Sequence, residues 1–208
     1  MITVITTFSR PENKELLTKF YEGKCNWVVL QVEGEPDYDF PSWVTVKKYP
    51  IKNKISISNQ LLNQFFNETD DETQYIVLCD DDLIEDDFFK KIPEADVVCV
   101  SMQRNDFYAK HGVSDNWETK TGHYEYGMDI LYAHPDNMQV ARVGGEQLIC
   151  KGKVLKQFKY GMEDSTALLP GDFTFIRDVM TKYPVTYVPE AFVYFNYTEN
   201  GRFKNRKN

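Results

Sequence analysis

The stretch from Gln74 to Asp82, which reads Gln-Tyr-Ile-Val-Leu-Cys-Asp-Asp-Asp, decides the fold class of this chain. A strand is predicted over Gln74–Cys79, and the continuous apolar character of the run Tyr75 to Cys79 is typical of a strand buried on both faces. The carboxylates of Asp80, Asp81 and Asp82 follow directly at the carboxyl end of that run. Ligands of open α/β sheets bind outside the carboxyl ends of the strands, so this acidic triplet is the first candidate for a functional site.

Upstream of this strand, segments of strand character alternate with segments of helical character. Strands are predicted over Ile2–Phe8, Trp27–Val32 and Trp43–Val46, and helices over Pro11–Phe20 and Ile55–Phe66. Proline suits the first turn of the first helix, because the N–H groups there have no helical partner. The order strand, helix, strand, helix, strand predicts an α/β fold with a parallel sheet and helices on its faces.

Downstream of the triplet the pattern is less regular. The predicted elements are strands over Val97–Met102, Val185–Val188 and Ala191–Phe195, a helix over Phe173–Met180, and one or two strands within Gln139–Cys150, interrupted by Gly144-Gly145. Gly112–Gly127 is a polar, aromatic-rich stretch that is too long for a simple connection, and such loops are usually functional. We therefore expect a mixed, mostly parallel sheet.

The composition is that of a globular domain. The chain has 208 residues, of which 42% are hydrophobic and 27% charged, which excludes disordered, collagen-like and coiled-coil classes. This length predicts one domain over residues 1–208. No apolar run reaches the roughly 18 residues of a membrane span, and the first residues lack the features of a signal peptide, so we expect a cytoplasmic protein with no membrane span.

Charge and cysteine spacing narrow the class of partner. The formal net charge is 24 − 32 = −8, which disfavours binding to a nucleic-acid backbone. The four cysteines, Cys25, Cys79, Cys99 and Cys150, are widely spaced and lie within apolar stretches. This pattern predicts reduced core thiols rather than a zinc site or a disulfide framework.

The acidic triplet has the composition of a divalent-cation site. Asp80 and Asp82 project to the same side if the chain stays extended, and together they can then bind one cation. A cation held by two carboxylates keeps open positions for phosphate oxygens and can neutralise a leaving diphosphate. The alternative is a solvated acidic turn, because this region is also rich in other acidic residues: Asp70, Asp71, Glu72, Glu85, Asp86 and Asp87. The position of the triplet, directly after a central apolar strand, argues against that alternative.

Several motifs, taken in order, resemble the GT-A-fold glycosyltransferases, in particular the inverting family 2 type. In the first half they are Ile2–Pro11, Lys54 with Asn59, and Tyr75–Asp82. In the second half Gly144–Leu148, Gly171–Arg177 and Tyr187–Glu190 look like the acceptor loop, the helix that bears the base and the closing strand. The likeness covers nearly the whole chain. It implies a nucleotide-sugar-binding half, residues 1–82, and an acceptor-binding half, residues 83–208.

The resemblance also implies which residues contact the donor. The implied nucleotide-sugar-binding residues are Thr6, Phe8, Arg10, Glu33, Lys54, Asn59, Asp80 and Asp81. It further implies a Mn²⁺ or Mg²⁺ ion bound by Asp82 and Asp80. Lys54 and Asn59 match the Lys and Asn of a Gly-Lys-x-x-x-x-Asn stretch in which Asn53 replaces the Gly; an ordinary helix start and a surface amide are the alternative for these two residues.

Inverting transfer also needs a carboxylate that removes the proton of the acceptor hydroxyl during attack on the anomeric carbon. The family carries this base in a Glu-Asp pair at the start of the late helix, where the present chain has Gly171-Asp172. Asp172 is the preferred base, and Glu163 of the intact pair Glu163-Asp164 is the other candidate. Helix capping is the alternative for Asp172. The same resemblance places Gly145 and Glu146 at the acceptor.

Two further groups of residues each allow two interpretations, and a third group is assigned no role. The basic segment from Arg202 to Lys207 either folds over the donor diphosphate or is a solvated tail. Sugar rings stack on aromatic faces, so the aromatic residues near the long loop suit a carbohydrate groove, with core packing as the alternative; they are Tyr108, Trp117, Tyr124, Tyr126 and Tyr132. No role is assigned to His111, His123 and His134.

Together these features predict a metal-dependent glycosyltransferase that moves a sugar from a nucleoside-diphosphate donor, a UDP-sugar being favoured, to a hydroxyl of a glycan or glycoprotein with inversion. The small size resembles the minimal glycosyltransferase domains of large DNA viruses, including those that decorate chlorella-virus capsid glycans, for which the location would be the host cytoplasm. The alternatives are a glycosyltransferase acting on modified nucleic-acid bases, a nucleotidyltransferase, and a non-catalytic carbohydrate-binding protein. The second of these would usually show a Gly-rich or basic loop after the first strand, and the third has no need of the acidic triplet.

Overall fold

The structure, a computed structural model, describes residues 1–104, 130–131, 133–135, 144–161 and 171–195. Its strands are β1 (Thr3–Thr7), β2 (Asn26–Val32), β3 (Thr45–Tyr49), β4 (Gln74–Cys79), β5 (Leu83–Ile84), β6 (Val97–Arg104), β7 (Ile130–Leu131), β8 (Leu148–Lys151) and β9 (Thr186–Phe195). Its helices are α1 (Lys14–Tyr21), α2 (Ile57–Phe65), α3 (Phe88–Lys91), α4 (Gly152–Leu155) and α5 (Gly171–Lys182), and short 3₁₀ turns occupy Pro11–Asn13, Phe66–Glu68 and Gly145–Gln147.

These strands form one sheet in the order β3-β2-β1-β4-β8-β6-β9-β5, and β7 pairs with β6 outside this path. β1 runs parallel to both β2 and β4, β2 runs parallel to β3, and β6 runs parallel to β9. β8 lies antiparallel between β4 and β6. The predicted α/β class with a mixed, mostly parallel sheet is confirmed, and the central strand has the predicted bounds.

Helices cover both faces of the sheet. On one face α1 packs through Leu17 and Tyr21 against Val4 and Trp27. On the other face α2 and α5 pack against inward-facing residues of the same strands, through the apolar residues Leu61, Leu62, Phe65, Phe175, Ile176 and Val179. This alternation explains why the central strands are apolar at almost every position, since successive side chains enter different cores.

Most element boundaries differ from the predicted ones by a few residues, as at β3, which lies at Thr45–Tyr49 rather than Trp43–Val46, and two of the differences have a clear physical cause. The second helix begins at Ile57 rather than Ile55, because Ser56 has a φ of +48°, which belongs to the left-handed region and cannot continue a right-handed helix. The last two predicted strands form one strand, β9, whose pairing with β6 shifts between Val100 and Ser101. The shift places Pro189, which has no N–H to donate, in the bulged part of the strand.

Some sequence predictions fall outside the described residues. They concern Glu163 and Asp164, the stretch 112–127 with its aromatic residues, Tyr108 and Tyr132, His111 and His123, residues 139–143 of the predicted strand region, and the basic segment 202–207. His134 is described and is exposed. Within the described part of the chain, every helix is too short or too polar to cross a lipid bilayer.

Candidate active site

The strand order reverses between β1 and β4. From β1 the chain proceeds outward through β2 and β3 and then returns to β4 on the other side of β1. The two strands are parallel, and Thr7, the last residue of β1, lies opposite Cys79, the last residue of β4. In open α/β sheets the ligand crevice lies at such a reversal, outside the carboxyl ends of the strands. The acidic triplet therefore begins at the rim of the crevice that the topology provides.

Asp80 joins the end of β4 to the start of the first helical segment. Its Oδ2 accepts hydrogen bonds from the backbone N–H groups of Ser9, at 2.6 Å, and of Arg10, at 2.7 Å. Its Oδ1 forms an ion pair with the Arg10 guanidinium, and the Asn13 side chain donates to its backbone carbonyl at 2.8 Å. Burial raises the pKa of Asp80, and the Arg10 charge and these backbone donors oppose that shift. Arg10 also lies 3.1 Å from Oδ1 of Asp81, so one guanidinium compensates two buried carboxylates.

Asp82 faces a different set of partners, because the chain turns immediately after β4. The Asp82 N–H donates to the Cys79 carbonyl at 3.1 Å, and its Oδ2 accepts the Cys79 N–H at 2.9 Å. Extended geometry therefore ends at Cys79, so the same-side projection expected of Asp80 and Asp82 in an extended chain does not apply, and their joint binding of one cation stays a prediction. In the structure the Asp80 carboxylate contacts Arg10, whereas the Asp82 carboxylate, which is fully buried, accepts the Cys79 N–H.

Cys79, Asp82 and Glu146 bring one ligand atom each to within 4.8 Å of one another. The Cys79 thiol donates to Glu146 Oε1 at 3.7 Å. This donor set fits a divalent cation, because carboxylate oxygens bind hard cations and a thiolate adds affinity for softer ones. Among the described residues the group does not include Asp80. The predicted metal ligand Asp82 thus meets Glu146, which was predicted to contact the acceptor.

Glu146 is held by the 3₁₀ turn that precedes β8. The Gly144 N–H donates to Gln147 Oε1 at 3.1 Å, and Gln147 Nε2 donates to the Val100 carbonyl at 2.9 Å, so the turn is fixed from inside and attached to β6. A Cβ atom on Gly144 would lie 2.5 Å from Glu146 Oε2. The glycine therefore allows the carboxylate to fold back over its own turn.

Asp172 lies beside the same turn, in the first turn of α5. A Cβ on Gly145 would lie 3.7 Å from Asp172 Cβ and 2.9 Å from the Tyr160 hydroxyl. The Tyr160 ring stacks on Phe175 of α5, with centroids 4.4 Å apart. Burial raises the pKa of the Tyr160 hydroxyl well above its usual value, and the charges of Glu146 and Asp172 raise it further. Glu146, Asp172 and Tyr160 therefore share one partly buried region beside the crevice.

The other residues predicted to contact the nucleotide-sugar donor have varied surroundings. Thr6 is buried and accepts the Trp27 indole N–H at 3.0 Å, and Phe8 packs edge-on against Tyr38 and Phe40. Asn59 donates to the Gly161 carbonyl at 2.7 Å, so its amide fastens α2 to the segment after α4. Glu33 and Lys54 are exposed, the former at the end of β2 and the latter before α2.

Sequence reasoning did not select Ser9, Asn13, Cys79 or Tyr160, all of which contact predicted site residues. Cys79 was predicted to be a core thiol like the other three cysteines. Those three are buried and none of the four forms a disulfide with another described residue, but Cys79 is only partly buried and faces Glu146. Its place as the last residue of the central strand, next to the triplet, was the signal that could have found it. Tyr160 offers no such signal, because its contacts join segments distant in sequence.

The sequence matches no protein-family model and no curated protein. One similar solved structure is 4-diphosphocytidyl-2C-methyl-D-erythritol synthase, with a TM-score of 0.45 and 10% identity over 89% of this chain and 87% of that chain. Another is galactosyltransferase LgtC in complex with donor and acceptor sugar analogs, with a TM-score of 0.39 and 10% identity over 88% of this chain and 65% of that chain. Both TM-scores are below 0.5, so these likenesses add no argument about what this chain does.

Proposed function

We propose that this chain is a metal-dependent GT-A glycosyltransferase, which moves a sugar from a nucleoside-diphosphate donor, preferentially a UDP-sugar, to a hydroxyl of a glycan or glycoprotein with inversion. The observation that carries this proposal is the position of three buried carboxylates, Asp80 to Asp82, at the carboxyl ends of β1 and β4 where the strand order reverses. A buried acidic group at a ligand crevice is costly unless a cation or a fixed positive charge compensates it. Arg10 supplies such a charge to Asp80 and Asp81.

The distribution of charge supports a donor that arrives with a cation. Asp82 and Glu146 lie in one cluster at the strand ends and Asp172 lies beside the Glu146 turn, so these carboxylates would repel a diphosphate. When bound by Asp82 and Glu146, Mn²⁺ or Mg²⁺ would neutralise the charge that develops on the leaving diphosphate. We therefore expect donor binding to depend strictly on the cation.

The chain's own residues supply the remaining roles. Asp172 accepts the proton of the attacking hydroxyl, because its carboxylate lies next to the Gly145–Glu146 turn where the acceptor is expected. Arg10, fixed by Asp80 and Asp81, sets the shape of the β1 end against which the nucleotide lies. The contacts expected from Glu33, Lys54 and Asn59 with the nucleotide belong to this proposal.

A donor-hydrolysis screen tests the proposal directly. The full chain is incubated with UDP-, GDP- and CDP-sugars, with Mn²⁺ or with a chelator, and the released nucleoside diphosphate is measured. We expect slow release of UDP from one or more UDP-sugars only when the metal is present. A parallel arm with a nucleoside triphosphate and sugar phosphates measures pyrophosphate. Pyrophosphate release with no nucleoside diphosphate would overturn the glycosyltransferase proposal in favour of nucleotidyl transfer.

A further inference from the structure

We propose that Cys79, Asp82 and Glu146 form a three-ligand site for a divalent transition-metal ion, and that Asp80 is not one of its ligands. This inference deepens the proposed function by naming the ligands and the class of ion. It rests on that function only for the ion's role in transfer, because the site itself can be tested with metal alone.

The three ligand atoms come from two segments that the sheet holds together. Cys79 and Asp82 are the ends of the turn after β4, and the bonds between them fix the Asp82 carboxylate against the strand end. Glu146 reaches them from the 3₁₀ turn before β8, the strand that pairs directly with β4. Two ligands of one ion with metal–ligand distances of about 2.0–2.3 Å are at most about 4.6 Å apart. Atoms that already lie within 4.8 Å of one another reach that spacing by small side-chain rotations.

The turn that carries Glu146 is fixed by the Gln147 side chain. Gln147 Oε1 accepts the Gly144 N–H at 3.1 Å, and Gln147 Nε2 donates to the Val100 carbonyl of β6 at 2.9 Å. The close approach of Gly144 to Glu146 Oε2 leaves no space for a side chain at that position. Ligands that are held by the backbone and by neighbouring packing lose little conformational entropy when they bind an ion, so this arrangement favours binding.

The thiol determines the class of ion. Mg²⁺ and Ca²⁺ select oxygen ligands, whereas a set of one sulfur and two carboxylates suits softer transition ions such as Co²⁺ and Zn²⁺. On binding, the Cys79 thiol loses its proton to solvent and its hydrogen bond to Glu146 is replaced by bonds from both groups to the ion. Three protein ligands leave at least one coordination position open, which is the pattern of sites where a metal contacts a substrate.

Asp80 is excluded by its own contacts. Its carboxylate accepts two backbone N–H bonds and pairs with the Arg10 guanidinium. Recruiting it to a cation would break those bonds and bring the cation towards Arg10. The substitution Asp80→Asn therefore serves as an acidic control that lies two residues from a proposed ligand.

Cobalt absorption tests the site without donor or turnover. Chelator-treated full-length protein, kept reduced with a phosphine, is titrated with Co²⁺, and the near-ultraviolet sulfur-to-cobalt charge-transfer band is recorded. We expect the band in the wild type and in Asp80→Asn, its loss in Cys79→Ser, and at least about tenfold weaker Co²⁺ binding in Glu146→Gln. Cys25→Ser and Glu190→Gln are the matched controls, because Cys25 precedes the amino end of β2 at the opposite edge of the sheet and Glu190 is exposed.

Several results would overturn the site. They are the absence of the band from the wild type, its persistence in Cys79→Ser, and unchanged Co²⁺ affinity in Glu146→Gln. Thermal unfolding of each variant shows that it is folded, and if Cys79→Ser does not fold, Glu146→Gln alone decides. Cobalt binding at the triad with no nucleotide binding would contradict the proposed function and leave this site standing. Metal-dependent UDP binding together with unchanged Co²⁺ affinity in Cys79→Ser and Glu146→Gln would support the proposed function and contradict this site.

Discussion

Gly145 shows how a single residue sets the packing of the candidate site. A Cβ at this position would lie 2.9 Å from the Tyr160 hydroxyl but at an ordinary 3.6 Å from its ring carbon. We expect Gly145→Ala to lower the free energy of unfolding by about 1–3 kcal/mol, because the buried ring cannot move away from its stack on Phe175. Urea denaturation measures the loss. In the Tyr160→Phe background the same substitution should cost clearly less, and equal costs in both backgrounds would contradict the contact.

Asp172 gives a prediction about the rate. We expect Asp172→Asn to lower kcat by about 10²- to 10⁴-fold, the usual contribution of a general base, with little change in donor affinity. Asparagine still suits the start of a helix, so the variant should remain folded. The matched control is Asp178→Asn, an exposed position on the same helix. Full activity of Asp172→Asn in a transfer assay would move the role to Glu163.

Gln31 gives a prediction about stability. It is only 1% exposed, and among the described residues neither its amide oxygen nor its amide nitrogen finds a hydrogen-bond partner. An unsatisfied buried polar group costs about 1–3 kcal/mol, so Gln31→Met should raise the free energy of unfolding by about 1 kcal/mol. Gln31→Glu, which buries a charge in the same space, should lower it. A less stable Gln31→Met protein in urea denaturation would show that the amide is satisfied, for example by a buried water.

At the residue scale, the sequence was informative about which side chains reach the crevice and less so about what they contact. The positions of Asp82 and Arg10 just beyond the ends of β4 and β1 were predictable, because strand ends can be inferred from apolar runs. The different partners of Asp80, which pairs with Arg10, and of Asp82, which bonds to Cys79, were not predictable, because they depend on a turn closed by Asp82 itself. The meeting of Glu146 with Cys79 depends on pairing between strands far apart in sequence.

Helix α2 connects the two halves of the chain through its amides. Asn63 donates to the Tyr160 carbonyl at 2.9 Å and accepts the Tyr160 N–H at 2.8 Å, and Asn59 one turn earlier holds Gly161. The helix thereby positions the residue against which Gly145 and Phe175 pack.

The amide contact of Asn63 can be tested by truncation. We expect Asn63→Ala to lower the free energy of unfolding by about 2 kcal/mol, because it leaves the N–H and C=O of Tyr160 without these partners. Asn67→Ala, an exposed position on the adjoining turn whose side chain bonds only to nearby carbonyls, should change stability by less than about 0.5 kcal/mol. Urea denaturation of both variants measures the difference, and similar costs for the two would contradict the account.

At the element scale, long periodic segments were predictable and short ones were not. β4 has the predicted bounds, and α1 follows a proline as expected. The two-residue strand Leu83–Ile84 and the four-residue helices α3 and α4 are too short to show a period. The antiparallel insertion of β8 between β4 and β6 left no local trace in the sequence, because strand direction depends on the whole chain path.

At the scale of the whole molecule, the reversal of strand order between β1 and β4 places the buried carboxylates of Asp80 to Asp82 at the crevice of a chain that is itself acidic. A net charge of −8 repels a diphosphate, and a cation held at the crevice would offset that repulsion locally. Asp82 and Glu146 share a cluster with Cys79, whereas Arg10 pairs with Asp80 and Asp81, so the proposed cation-binding carboxylates are different from those compensated by the protein itself.

The central claim is that this crevice binds a nucleoside diphosphate through a divalent cation, and isothermal titration of UDP tests it most directly. We predict measurable binding with Mn²⁺, none with a chelator, at least about tenfold weaker binding in Asp82→Asn, and unchanged binding in the exposed control Asp86→Asn. UDP binding of equal strength with and without the metal, or unaffected by Asp82→Asn, would contradict the claim.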